Sequence, residues 1–199
     1  MTPWAFAQPL QTARLTLRLM TRDDVDDVLD WMSDPDVARY QLYEPRTREQ
    51  VLEHIDKVAA SVDLADDGDF VEFALELPAT EESRARVIGC IYFALKSAAD
   101  SAGEIGWALT ATHHGRGYAQ EAASAVLDLA FGDVGLHRVH ADLDPRNDAS
   151  IALCLRLGMR HEAHFVENMM FKGAWADTGI YAILDREWHA RRAPGRPAS

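Results

Sequence analysis

An α+β fold, built on a mixed and mostly antiparallel sheet of six to seven strands with helices on both faces, is predicted by three features of the chain. Period-two stretches crowd its middle and are joined by short polar turns, the pattern of an antiparallel meander. Helical periodicity precedes that block, with apolar residues three and four apart around residues 25–32 and 51–58. After Thr110 helices and strands alternate, which places helices on more than one side of the sheet.

The elements follow in order. In "ARLTLRLMT" Leu15, Leu17 and Leu19 alternate with Arg14, Thr16 and Arg18, a strand with one buried face. Thr21 is placed to cap a helix carrying Val25, Val28, Leu29 and Met32 on one side, with Asp23 and Asp24 where the helix dipole favours anions. Asp34 and Pro35 give a turn, and Thr47 caps a second helix that presents Val51, Ile55 and Val58. The acidic "DLADDGD" reads as a solvated turn. "FVEFALEL" then sets Val71, Phe73, Leu75 and Leu77 against Glu72 and Glu76, and "ARVIGCIYFAL" and "AGEIGWALT" continue the meander. The helix after Gly117 buries Ala122, Ala123, Val126, Leu127 and Ala130; beyond it come the strand "GLHRVHADLD", the helix "NDASIALCLRLGM" and the strands "AHFVENMMFKG" and "TGIYAILDREW". No internal repeat, low-complexity segment or linker interrupts this order. A single domain over residues 13–188 is expected, with 1–12 and the basic, proline-rich 189–199 as terminal extensions.

Composition narrows the classes of function. The chain of 199 residues carries a formal net charge of -12, which disfavours nonspecific attraction to nucleic acid. Its two cysteines, Cys90 and Cys154, form no CxxC and suggest no disulfide framework, which fits a reducing cytoplasm. No export-signal pattern opens the sequence and no apolar run has membrane-spanning length, so no membrane partner is expected. His137 and His140 fall on opposite faces of their strand, and none of the histidine spacings gives HExxH, so no metal is expected. The five tryptophans read as core and rim aromatics rather than a base-stacking platform.

The sharpest local signal is "THHGRGYAQEAASAVLDLAFG", a glycine-rich turn running straight into a helix. Gly115 and Gly117 permit unusual backbone angles, the first helical turn leaves N–H groups unpaired, and the dipole favours negative charge there. A phosphate cradle would use all three, with Arg116 adding a charged contact. A turn whose glycines only solve a backbone problem explains the same residues. A dinucleotide-binding turn would put its third small residue at Gln120, and no Gly-Lys-Ser or Gly-Lys-Thr follows for a Walker turn. Downstream, Asn147, Ser150 and Cys154 share one face of a helix that "DPRN" introduces. They read either as a ligand-facing set or as a cap, an ordinary helix residue and buried filler.

Taken together, "ARLTLRLMTRDDVDDVLDWMSDPDVARY", "GEIGWALTATHHGRGYAQEA", "LHRVHADLDPRNDASIALCLRLGMR" and "YAILDREW" resemble the GCN5-related N-acetyltransferase superfamily, and more closely its branch that acetylates the N-terminal amine of ribosomal proteins. The resemblance implies acetyl-CoA as cosubstrate, its pyrophosphate wrapped by backbone amides around Gly115, Arg116, Gly117, Tyr118 and Ala119, and Asn147 beside the pantetheine arm. It also implies that the strand ending near Leu109 splays from the next and offers an amide from the 107–110 stretch to the thioester carbonyl. His114 stands where the family usually has Gln or Arg, and Cys154 where much of it has tyrosine.

Transfer to an amine needs a neutral nucleophile, donors for charge developing on the thioester oxygen, and a proton for the departing thiolate. Glu104, directly or through water, is a candidate for base, with a solvent-facing strand residue as its competing reading, and Glu72 on a neighbouring strand is a second candidate that the sequence does not rank against it. Ser150 resembles the serine that the ribosomal-protein branch places near the sulfur and is the favoured proton donor, with Cys154 as the competing donor or as packing. The acceptor is expected to be a protein N-terminus or a small-molecule amine, and the protein a monomer or homodimer. A noncatalytic acyl-CoA-binding sensor is the alternative from another class.

Overall fold

The computed structural model describes residues 4–192. The chain begins with two-residue strands β1 (Trp4–Ala5) and β2 (Leu10–Gln11), followed by β3 (Thr16–Leu19). Thr21 opens a 3₁₀ turn through a capping box with Asp24, and the turn leads into α1 (Val25–Met32). Asp34 and Pro35, expected as a turn, start the four-residue α2 (Pro35–Ala38), because the Asp34 side chain accepts from Asp36 N–H and proline suits a first helical position. Thr47 and Gln50 form a second capping box for α3 (Arg48–Ala59).

Within the acidic "DLADDGD" stretch, β4 (Asp63–Leu64) pairs with β1, while Asp69 accepts from the Ala65 and Asp66 amides to close a turn. The meander then runs through β5 (Phe70–Leu77), β6 (Arg86–Ser97) and β7 (Ala102–Leu109). It is followed by α4 (Tyr118–Phe131), β8 (Arg138–Leu143), α5 (Asp148–Leu157), β9 (Arg160–Phe171), β10 (Ala174–Leu184) and α6 (Asp185–Arg192).

The main sheet has eight strands in the order β2-β3-β5-β6-β7-β8-β10-β9, and every neighbouring pair is antiparallel except β7 and β8. Seven of these are the strands read from the sequence, and the eighth is the short edge strand β2. One face is covered by α4 and α5, which bury Ala122, Val126, Leu127 and Leu153 against Phe73, Ile91 and Phe93. The other is covered by α1 and α3, with Val28, Trp31, Val51 and Ile55 over Ala74 and Cys90. The face of β5 that carries Glu72 is therefore not a water face: helices cover it, and Glu72 is only 7% exposed.

The sequence "TGIYAILDREW", expected as one strand, divides at Leu184. Asp185–Arg192 is helical, and buried Trp188 donates from Nε1 to Asp128 of α4 at 2.8 Å. The stretches expected as terminal extensions also carry structure: β1 and β2 precede residue 13, and α6 runs past residue 188, with Arg192 paired to Asp128.

Candidate active site

β7 and β8 hydrogen-bond in parallel only where Ala102–Glu104 face Arg138–His140. Beyond that register each continues, β7 to Leu109 and β8 to Leu143, and a gap opens between them. The carbonyl of Trp107 accepts from Gln41 Nε2 at 3.2 Å, and that of Leu109 lies 3.1 Å from His114 Nε2, which must carry its proton because a carbonyl only accepts. Neither carbonyl is committed to β6. The N–H and C=O of one strand residue point to the same side, so the amides of Trp107 and Leu109 face the gap. Thr110 alternates the other way and donates to Ile88 of β6.

At the mouth of the gap lies the glycine turn. Gly115 and Gly117 have φ of 72° and 81°, the left-handed region that side-chain-bearing residues avoid, and Gly117 is the N-cap of α4. The first amide of α4 to find a carbonyl one turn back is that of Glu121, on Gly117, which leaves the N–H groups before it directed at whatever sits above the helix. The turn is braced from a distant part of the chain. Arg14 donates to the Arg116 carbonyl at 2.9 Å and to Glu121 at 2.7 Å, and its guanidinium lies 4.4 Å from the centre of the Tyr118 ring. Burial alone would raise the Glu121 pKa, but donation from Thr12 and Arg14 brings it below the ordinary carboxylate value. The Arg116 side chain is exposed and is not among the residues lining the cavity beside the turn.

That cavity, of about 600 Å³, runs from Gly115, Gly117, Tyr118 and Ala119 past Leu109 to Asn147 and Ser150. A second, of about 550 Å³, lies on the α3 side and contains Glu72, Glu104 and Asp142. The two share Tyr40, Gln41, Trp107, Ala108, Asn147 and Ser150. Asn147 is the α5 N-cap, its Oδ1 accepting from Ser150 N–H at 3.1 Å, so its NH₂ group is not used in the cap. Trp107 Nε1 donates to Ser150 Oγ at 3.1 Å.

Cys154, one turn further along α5, is 0% exposed, packs in the core and lines neither cavity. Burial pushes its thiol up to about 12, a poor acid for a thiolate. Of the sequence candidates, then, Ser150, Asn147, Leu109, Glu104 and the turn residues other than Arg116 share connected cavities, and Cys154 does not.

Of the two base candidates, Glu104 carries Lys96 Nζ at 2.8 Å with its side chain 23% exposed; Glu72 meets His54 Nε2 at 2.9 Å with its side chain 10% exposed. Sequence reading missed Gln41, Arg14, His54 and Asp142. They come from separate elements, and the stretch before β3 meets the turn only in space, through Arg14 on Glu121, 107 positions away, and on the Arg116 carbonyl, and through Thr12 on Glu121. Among the described residues no group of three or more His, Cys, Asp or Glu is placed to hold a metal ion, and no helix is long and apolar enough to cross a membrane.

A mixed sheet parted between two parallel strands, with free helix-terminal amides at the opening, is the α+β arrangement that the resemblance to the N-acetyltransferases implies. The family model for the acetyltransferase (GNAT) domain matches residues 14–160, and the chain belongs to that family. It is 32% identical over 181 residues to the uncharacterized N-acetyltransferase p20 of Bacillus licheniformis, covering 91% of this chain and 98% of that protein. It is 31% identical to the uncharacterized N-acetyltransferase YnaD of Bacillus subtilis, covering 90% and 99%. Among solved structures, a GNAT-family acetyltransferase from Bacillus anthracis superposes with a TM-score of 0.78 at 29% identity, covering 90% of this chain and all of that one.

Proposed function

We propose that this protein moves the acetyl group of acetyl-CoA directly onto a primary amine. The observation that carries the reading is the meeting of two cavities at Trp107 and Ser150, inside the gap between β7 and β8. One cavity has a helix N-terminus and left-handed glycines, suited to a pyrophosphate; the other has carboxylates, suited to an amine. An acyl-CoA sensor would need only the first.

In this reading the amides from Gly115 to Ala119 hold the pyrophosphate, Asn147 the pantetheine arm, and the Trp107 and Leu109 amides the thioester oxygen as charge builds on it. Glu104 takes the proton from the amine through water, since its partial exposure gives that proton a route to solvent. Ser150 relays a proton to the leaving thiolate, its oxygen taking one from water as its own hydrogen leaves. An indole N–H is a donor only, so in the bond from Trp107 the serine oxygen is the acceptor and its own hydrogen is free for another partner.

Cys154 is packing in this reading, and Arg116 contributes its main chain. The acceptor is either a protein N-terminus, as in the ribosomal-protein branch, or a small amine. Release of coenzyme from acetyl-CoA in the presence of peptides and small amines, followed by the mass of the product, tests the reading. A product heavier by one acetyl group supports it; acetyl-CoA binding with no acetylated product from any amine overturns it.

A further inference from the structure

The charges around the acceptor cavity are unevenly matched, and the mismatch bears on the acceptor; the argument rests on the acetyl-transfer reading above. Three of the carboxylates lining it are already engaged: Glu72 with His54 at 2.9 Å, Glu104 with Lys96 at 2.8 Å and Asp144 with Arg146 at 2.5 Å. Among the described residues, Asp142 pairs only with His140, at 3.6 Å. Arg46 and Lys57 also line the cavity, and among the described residues neither makes an ion pair with a carboxylate. Each is held over an aromatic ring instead, Arg46 at 4.8 Å from the Tyr43 centroid and Lys57 at 5.7 Å from that of Phe70. Beneath Arg46, the Tyr43 hydroxyl is enclosed, with Cys90 and Glu72 among its neighbours and no hydrogen-bond partner among the described residues. Two cations that line one cavity and are held over rings rather than paired with carboxylates leave room there for a ligand's negative charge.

We propose that the acceptor is a small primary amine of the amino-acid class, whose carboxylate is bound by Arg46 and Lys57. Its amine then lies toward Glu104 and Asp142, beside Ser150. The aromatic rings of Phe70 and Tyr92, 5.5 Å apart on the same cavity wall, face the apolar body between the two ends. A polyamine fits this cavity poorly, since it would bring further positive charge against Arg46 and Lys57.

The test uses matched pairs, amino acids against the amines left when the carboxylate is removed, such as phenylalanine with phenethylamine and lysine with cadaverine, together with spermidine. Binding to the CoA-loaded protein is measured by calorimetry and turnover by coenzyme release. The carboxylate-bearing member of the preferred pair should bind and react at least about tenfold better, as expected for charge-assisted contacts. In the double variant Arg46→Gln, Lys57→Gln, checked for folding by thermal unfolding, that ratio should fall to about twofold or less. Equal or better use of the decarboxylated amines or spermidine overturns the inference and leaves the transferase reading standing. A carboxylate preference in binding without coenzyme release does the reverse. A ratio that survives in the folded double variant also overturns it.

Discussion

Trp107 Nε1 donates to Ser150 Oγ at 3.1 Å, joining the strand on one side of the gap to the helix on the other. The bond orients the serine hydroxyl and, by withdrawing charge from its oxygen, strengthens it as a donor. Ser150→Ala should lower kcat and kcat/KM together, by about 10²- to 10⁴-fold for positioned proton transfer, with acetyl-CoA affinity changed little. Trp107→Phe keeps the ring and removes the donor, so it should show a smaller loss in the same two constants. If Ser150→Ala costs less than about threefold in pre-steady-state acetyl transfer, the serine is helix packing and water protonates the thiolate.

Gly117 bears on both the fold and the ligand. At φ of 81° a side-chain-bearing residue is strained by roughly 1–2 kcal/mol, and a Cβ there would also come within 3.4 Å of Arg14 Nη2. Gly115 has a similar φ of 72° but nothing within 4 Å of its would-be Cβ. Gly117→Val should weaken acetyl-CoA binding in calorimetric titration and lower Tm. Gly115→Ala should lower Tm with a smaller loss of affinity. Equal affinity losses would show that the strained backbone, rather than access to the helix amides, sets binding.

How much of this was legible in the sequence divides along a physical line. Alternation in "FVEFALEL" and helical spacing in "TREQVLEHIDKV" reported β5 and α3, because each pattern is set by neighbours a few residues away. The turn at Gly115 and Gly117 was visible for the same reason. Burial of Glu72 was not, since alternation reports two faces and cannot say that α1 and α3 cover the second. The strand reading of "LDREW" failed where Asp185 and Glu187 start a helix whose Trp188 is anchored on Asp128, 60 positions away. Arg14 read as the polar side of β3, and its place under the turn depends on that strand and α4 meeting in space.

Cys154 should behave as a core residue in both kinetics and pH dependence. Cys154→Ala should leave kcat within about threefold and lower stability by roughly 1–3 kcal/mol through lost burial. Folding raises its thiol pKa from about 9 to about 12, so between those values the folded state holds the proton that the unfolded state has lost. The stabilisation from this group is complete below pH 9 and drains away as pH rises toward 12. Denaturant titrations at pH 8 and pH 10 should therefore show wild type losing more stability over that interval than the variant. A matching loss in both would mean that the thiol is less buried in solution than the structure shows.

In the proposed reaction the proton leaving the amine has two candidate carboxylates, Glu104 and Glu72, in the cavity assigned to the acceptor, and their surroundings separate them. Glu104 sits on β7, the strand that carries the two free amides, with Lys96 as its partner and a side chain 23% exposed. Glu72 lies on β5, two strands away, covered by α3 and tied to His54. Removing the Glu104 charge should abolish proton uptake with little effect on packing: Glu104→Gln is expected to lower kcat/KM by about 10²-fold or more while Tm moves by only a few degrees. Glu72→Gln should show the opposite balance, because it disturbs a buried pair with His54 and leaves Cys90 beside a neutral amide, so Tm falls while the rate per folded molecule stays within about tenfold. If Glu72→Gln carries the larger kinetic loss in a folded protein and Glu104→Gln the smaller, the His54–Glu72 pair is the base. In that case a His54→Gln variant must reproduce the loss, since the histidine would be the route by which the proton reaches solvent.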